Sequence, residues 1–564
     1  MRIKLDGSKL CGCSRALLAV AIPLVALAAS PRFLDQFTSV KWYVLEAVAA
    51  ALLLAERLLC ASRGLPAFVR RTWAGWAGLG ALVVLGSLRQ GLGWATAPLV
   101  ARASFVAVAL ASCWHFRRTG LRLGPLRASV AVAAVVVIAL GLLQCAGHQP
   151  LPWLTAGDGR SATFGNVNIA AQFVGLALVV LISGRSGAAV EVFAGGGFAY
   201  VFLAGTRSVA LALGMALVVL AVARRLTLWP LLRMATIASV VAGVVLQVAP
   251  QGSGPFSPSV ETSKQMSARL RLAVWGDTID FIRDHPLGVG AGNFEHAFIP
   301  YALRGRSRPG ETLVYRSPHN DFLRLLAEEG LLGGILLLTL LGLLVLEVNR
   351  SQATGWWRSE AGALLGSAGA FFVVEAFFQF PFEMAAPALL GAILLGLALA
   401  CAEGAPHGGA AERPRPGGPW PERAGDAACV LLALAIGVGL QRVATAEYLF
   451  VNHRDDVASL ERSCVLDPRR VEACVEAAWL HSRTGDHGRA RSLLGTVLHR
   501  SPHYFPAIKL LAEDLLVTGE REAGCRQVRA YEDLLGGAST IRREIGTACP
   551  PGTDAGLPPP REPY

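Results

Sequence analysis

Thirteen apolar runs, most of them about 15 to 20 residues long, dictate what this chain can become. They fall near 16 to 29, 42 to 60, 73 to 88, 98 to 114, 128 to 146, 168 to 183, 188 to 204, 208 to 223, 230 to 249, 331 to 348, 361 to 378, 386 to 401 and 427 to 443. A run of this kind crosses hydrocarbon as a helix, because only there does every backbone N–H and C=O find a partner within the segment. With 53% hydrophobic and 16% charged residues among 564, the chain does not read as one soluble core. The expected class is all-α: a polytopic helical membrane protein of about 12 to 13 transmembrane helices. The seventh run carries Gly195-Gly196-Gly197 and several others are short, so the count can shift by one. Arg2, Lys4, Lys9 and Arg15 precede the first run and Ala28-Ala29-Ser30 follow it, which makes a cleaved signal peptide the competing reading there.

The net charge of +12 has to be read by position. One set of connections holds Arg57, Arg63, Arg70 and Arg71, then Arg117, Arg118, Arg122 and Arg127, then Arg224 and Arg225, Arg350 and Arg358, and Arg413, Arg415 and Arg423. The alternate set holds few, such as Arg32, Arg89 and Arg160. This alternation is a topology signal and not the one-sided basic face that nucleic-acid binding requires, so no nucleic acid is expected as a partner. It places the N-terminus in the cytoplasm, and the polar stretch 250 to 330 and everything after Arg442 on the outer side. The implied divisions are a membrane core over 1–403 including the 250–330 loop, a Pro/Gly-rich cytoplasmic linker at 404–426, a last span at 427–443, helical repeats at 444–540 and a disordered tail at 541–564.

The repeats rest on a 34-residue period. Pro468 recurs at Pro502, Ala473 at Ala507, Ala478 at Ala512, Ala490 at Gly524, and Thr484-Gly485-Asp486 at Thr518-Gly519-Glu520. Small residues where helices approach and a proline between units are the marks of tetratricopeptide-like helix pairs, an α-solenoid suited to gripping a protein partner or an acceptor. Cys464, Cys474, Cys525 and Cys549 lie in this tail, where an oxidising compartment would allow disulfides.

A polar loop as long as 250 to 330 in so apolar a chain calls for a function. It ends in Ser317-Pro318-His319-Asn320-Asp321-Phe322-Leu323, followed by Glu328-Glu329-Gly330 and Gly333. Upstream stand Trp275 and Asp284-His285-Pro286-Leu287-Gly288-Val289-Gly290, with Gly292-Asn293-Phe294, and earlier still Phe164-Gly165-Asn166-Val167-Asn168 and Gly205-Thr206-Arg207-Ser208. Four motifs in this order resemble the O-antigen ligase and O-antigen polymerase superfamily of membrane glycosyltransferases, over roughly residues 15 to 400. The resemblance implies a GT-C-like core in the bacterial inner membrane. It implies inverting, metal-independent transfer of a glycan from undecaprenyl diphosphate to an acceptor hydroxyl, on lipid A-core or a similar acceptor, at the periplasmic face. Polymerisation of repeat units and transfer to protein share these motifs and remain alternatives. From other classes, a transporter of lipid-linked sugars and an assembly scaffold also stand.

His319 is the position implicated in activity by the resemblance; alone, it would equally serve as an interfacial or capping histidine. Asn320 beside it can fix its orientation. Arg207 at a helix edge can hold a diphosphate through its fork of donors, or snorkel. Arg271 stands four residues before Trp275 and Arg269 six before it, and either could be the second diphosphate-facing arginine; Arg271 is preferred. Asn166 and Asn168 can bond sugar or phosphate, with an N-cap role equally open for Asn168. Arg316 belongs to a basic strip with Arg304, Arg306 and Arg308 that suits acidic lipid or is simply a solvated face. The glycines from 288 to 292 read as a tight turn. No Asp-x-Asp or H-x-x-x-H pattern occurs, so no metal or other cofactor is expected and arginines would neutralise the leaving group. The superfamily commonly has an acid near Gln379; here Glu375 and Glu383 are the nearest.

Overall fold

The computed structural model describes residues 7–59, 65–89, 92–152, 160–184, 187–249, 258–307, 314–352, 355–403, 420–535, 539–545 and 549. Every regular element among them is helical. Each of the thirteen expected runs falls on a helix. Among the described residues, eight helices are long and apolar enough to cross a membrane: Thr38–Arg57, Ala95–Thr119, Gly124–Cys145, Leu228–Val248, Asp321–Ser351, Glu360–Phe378, Ala385–Ala402 and Ala427–Asn452. Five more apolar helices are shorter: Ser14–Leu27, Trp73–Ser87, Val167–Ile182, Ala188–Ala204 and Arg207–Val222. The chain is thus a polytopic helical membrane protein. Val167–Ile182 is the centre of the bundle, with thirteen consecutive buried residues from Ala170 to Ile182. A helix buried all round needs an all-round apolar sequence, which explains why this run shows no polar face.

The arginine-rich connections gather at one end of the bundle, where carboxylates meet them. Arg118 binds Glu56 through two hydrogen bonds of 2.7 and 2.9 Å. Arg117 pairs with Glu403 at 3.2 Å, Arg71 with Glu347 at 2.6 Å, and Arg127 with Glu360. Arg225 donates to the Arg358 carbonyl at 2.6 and 2.9 Å.

The opposite end carries helix Pro258–Asp284, the short helices Phe294–Ala297 and Ile299–Arg304, and the C-terminal tail. The tail begins on the last long helix, Trp420–Asn452, which starts before the expected boundary at 427; residues 404–419 of the expected linker lie outside the described residues. Helix pairs follow: Val471–Arg483 with His487–Arg500, then Phe505–Val517 with Arg521–Leu535. Corresponding helices start 34 residues apart, at 471 and 505 and at 487 and 521. Asp486 caps its helix by accepting from the Arg489 N–H at 3.0 Å.

The ordered tail runs past the expected boundary at 540. Helix Thr540–Ile545 packs Ile541 into the core of the last pair, and a Cys525–Cys549 disulfide holds the segment there. A second disulfide, Cys464–Cys474, joins two successive tail helices. Long-range contacts of this kind override the Pro-rich composition that suggested disorder from 541. Residues 550–564 lie outside the described residues.

Candidate functional site

The loop before helix Asp321–Ser351 carries His319 in a left-handed backbone conformation, φ 54°. That region disfavours a residue with a side chain, so surrounding bonds must enforce it. They do: the His319 N–H donates to Ser317 Oγ at 3.2 Å, and the Pro318 carbonyl accepts the Trp275 indole N–H at 2.9 Å. Asn320 then caps the helix, its Oδ1 accepting from the Leu323 N–H at 3.0 Å. Asn320 therefore orients His319 through the backbone and not through a side-chain bond to the ring. The imidazole lies 5.0 Å from the Phe380 ring, and its buried Nδ1 has no hydrogen-bond partner among the described residues. Burial, with the Arg271 guanidinium nearby, pushes the imidazole down to about 4, so the ring is neutral near pH 7.

Arg271 acts electrostatically on both His319 and Glu375. It is half-buried and makes no hydrogen bond or contact ion pair among the described residues. Glu375 is fully buried on helix Glu360–Phe378; its Oε2 accepts from Gln172 at 2.7 Å, and its Oε1 has no partner among the described residues. The Ser208 hydroxyl faces Glu375 and accepts from Gln379 at 3.4 Å. Ser208 follows Arg207, the first residue of helix Arg207–Val222 and an exposed one. Four helices and the His319 loop thus converge, bringing Arg271, His319, Glu375 and Gln172 near the Arg207–Ser208 helix start.

Of the sequence candidates, the structure brings Arg271 close to His319, and Arg207 precedes Ser208, which faces the Glu375 that also feels Arg271. Arg269, two residues from Arg271 on the same helix, is rotated about 200° away and is exposed. Asn166, not Asn168, is the N-cap: its Oδ1 accepts the Asn168 N–H at 2.8 Å. Arg316 turns outward and pairs with Glu295 at 3.4 Å, and Arg306 pairs with Asp280 at 2.9 Å, which breaks up the expected basic strip.

The two glycine-containing motifs of this region hold each other. Helix Asp321–Ser351 kinks at Gly330, φ 73° and ψ 176°, one residue before the start read from hydropathy. The Pro286–Gly290 turn docks into the kink: the Val289 N–H donates to Ala327 O at 3.0 Å, Gly290 N–H to Glu328 O at 2.8 Å, and Leu331 N–H to Pro286 O at 2.9 Å. A Cβ on Gly288 would overlap the Glu328 carbonyl, and one on Gly330 would overlap Leu287. The turn is structural and satisfies carbonyls that the kink exposes.

Beneath it runs a ladder of charges. Glu328 pairs with Arg102 at 3.0 Å and Arg324 at 2.9 Å; Arg102 also meets Glu329, and Arg324 meets Glu383. Arg102 and Gln172 stand at this site outside every sequence motif. The signal was available, since an arginine or glutamine inside an apolar run costs energy unless partnered.

Residues 192–338 match the family described as O-Antigen ligase. No curated protein matches the chain. The matched segment spans Arg207, Arg271, His319 and the Gly330 kink, while Glu375, Gln172 and the tail lie outside it.

Proposed function

We propose, from the premise that this chain carries an O-antigen ligase domain and so belongs to the O-antigen ligase superfamily, that it is an inner-membrane glycosyltransferase using an undecaprenyl-diphosphate-linked donor. The observation that carries this reading is the cluster itself: a neutral histidine whose ring Nδ1 has no hydrogen-bond partner among the described residues, near Arg271 and a buried Glu375. Arg207 and Arg271 grip the donor diphosphate, whose charge grows as the glycosidic bond breaks; stabilising it is the largest catalytic contribution. Glu375 keeps Arg271 charged and aimed. The acceptor hydroxyl attacks the anomeric carbon, the electron pair of the breaking C–O bond leaves on the diphosphate, and the hydroxyl proton passes to His319. One displacement inverts the anomeric centre.

Ligation to lipid A-core or a similar acceptor is favoured over polymerisation within the superfamily. The site end faces the periplasm in this reading. Support comes from the cysteines: the four in the tail pair as two disulfides, while Cys113 and Cys401, buried in the bundle, are free thiols. We read the tail as tetratricopeptide-like.

The test is transfer of labelled glycan from undecaprenyl diphosphate by the purified protein, with several acceptors and chelator present, comparing wild type with His319→Ala and Arg207→Ala. Transfer by wild type and loss in both variants, each still folded, supports the reading, and the acceptor used names the activity. Variants as active as wild type, or no transfer to any acceptor, would sink it in favour of transport or scaffolding.

A further inference from the structure

The tail does not stand apart from the site end of the bundle; it is docked on it at three levels. Near the membrane core, Glu447 accepts from the Leu34 N–H at 2.9 Å and pairs with Arg470 at 3.1 Å, and the Tyr43 hydroxyl also meets it. Further out, His296 Nδ1 lies 3.2 Å from Ser501 Oγ, and Arg304 donates to the Leu534 carbonyl at 3.1 Å. Between these bonds Ile299 and Leu303 pack with Phe505, Ile508, Tyr531 and Leu534 in one apolar core. The same short helices turn their other face inward. Phe294, Phe298 and Ala302 pack with Val274, Phe281 and Ala327, which flank Arg271 and the His319 loop.

One tail residue reaches deeper. Arg469 donates to the Gly292 carbonyl at 3.1 Å, and the Gly292 N–H lies close to the Glu328 carboxylate. Glu328 is the hub that holds Arg324 and Arg102, a few residues from His319. A chain of charge-assisted bonds therefore runs from the repeat module to the base of the site. Such bonds are shorter and stronger than neutral ones, so they transmit position well.

We infer that the repeat tail is a built-in brace of the site, holding segment Gly292–Arg304 in place, with Arg469 as its positioning residue. Its inter-repeat loops and its last helix pair are occupied by this chain's own segment. A partner, if one binds, meets the faces that remain. The brace is a statement about geometry; only its effect on turnover rests on the transferase reading.

Hydrogen exchange on the full chain in lipid nanodiscs tests the brace without any substrate. Arg469→Ala and Leu303→Asp should each speed exchange across 286–304 by about tenfold, as expected for local opening when a buried charge-assisted bond or contact is lost. The effect should carry into 317–330 while 471–517 stays as protected as in wild type. Arg469→Lys, which keeps a donor for the Gly292 carbonyl, should restore most of the protection. Where wild type transfers glycan, Arg469→Ala should lower kcat more than it raises KM, because Arg469 touches no substrate. Unchanged exchange at 317–330 in both variants would overturn the brace. A wild type that shows no transfer would overturn the transferase reading, and the exchange data would still decide on the brace.

Discussion

The two ends of this bundle treat their arginines differently. At one end Arg118, Arg117, Arg71 and Arg127 each meet a carboxylate of a neighbouring helix, and the acid facing Arg118 is buried. At the other end Arg102 and Arg324 each meet carboxylates as well, yet Arg271 beside His319 does not. There Arg271 makes no hydrogen bond or ion pair among the described residues, Glu375 Oε1 and His319 Nδ1 have no hydrogen-bond partner among them, and His319 is held with φ 54°. Buried polar groups are ordinarily satisfied, and clusters that fall short mark places where a ligand completes the bonding. In the proposed reading, the difference separates charges that hold helices together from charges arranged to receive a substrate.

That comparison can be broken from either side. Arg118→Ala removes the arginine from buried Glu56, leaving it Ser14 and His115, and should cost up to about 3 kcal/mol of stability while turnover per folded molecule stays at the wild-type level. Thermal melting alongside activity reads both; a loss of turnover without a loss of stability would erase the distinction between the ends.

A second effect is set by pH. Burial pushes His296 down to about 4 from an ordinary 6.5, so between those values the unfolded chain takes up a proton that the folded one does not. Stability from neutral His296 is complete above about 6.5 and falls by about 3 kcal/mol as pH drops to 4. Exchange protection of 294–304, measured at pH 7.5 and 4.5, should show the loss, and His296→Asn should flatten it.

Gly330→Ala places a side chain at φ 73° against Leu287 and should cost about 1–3 kcal/mol, read as a lower melting temperature. Smallest of all, Arg269→Ala should change kcat/KM by no more than about twofold, as for an exposed residue away from packed features. A large effect there would move the second diphosphate contact from Arg271 to Arg269.

Much of this was legible in the sequence because it depends on local pattern. Apolar runs gave the helices, arginine alternation gave the basic end, and the hydropathy start at 331 fell one residue past the kink at Gly330. The 34-residue period gave the spacing of the tail helices. What escaped depends on contacts between distant segments. The docking of Pro286–Gly290 on Glu328, the Arg316–Glu295 pair and the Arg469–Gly292 bond join residues whose proximity no periodicity encodes. Even the cap before Val167 was settled by backbone geometry, since Asn166 and Asn168 are the same residue type and only one is extended.

The most direct measurement of the central claim is kcat/KM for glycan transfer from undecaprenyl diphosphate by Arg271→Ala, taken beside Arg118→Ala in the same nanodisc preparation. If the unsaturated end is the catalytic one, Arg271→Ala falls by about a hundredfold or more, as for loss of one transition-state charge contact, while Arg118→Ala keeps its turnover per folded molecule. If Arg271→Ala transfers as well as wild type, the unsatisfied cluster is not where the diphosphate is held.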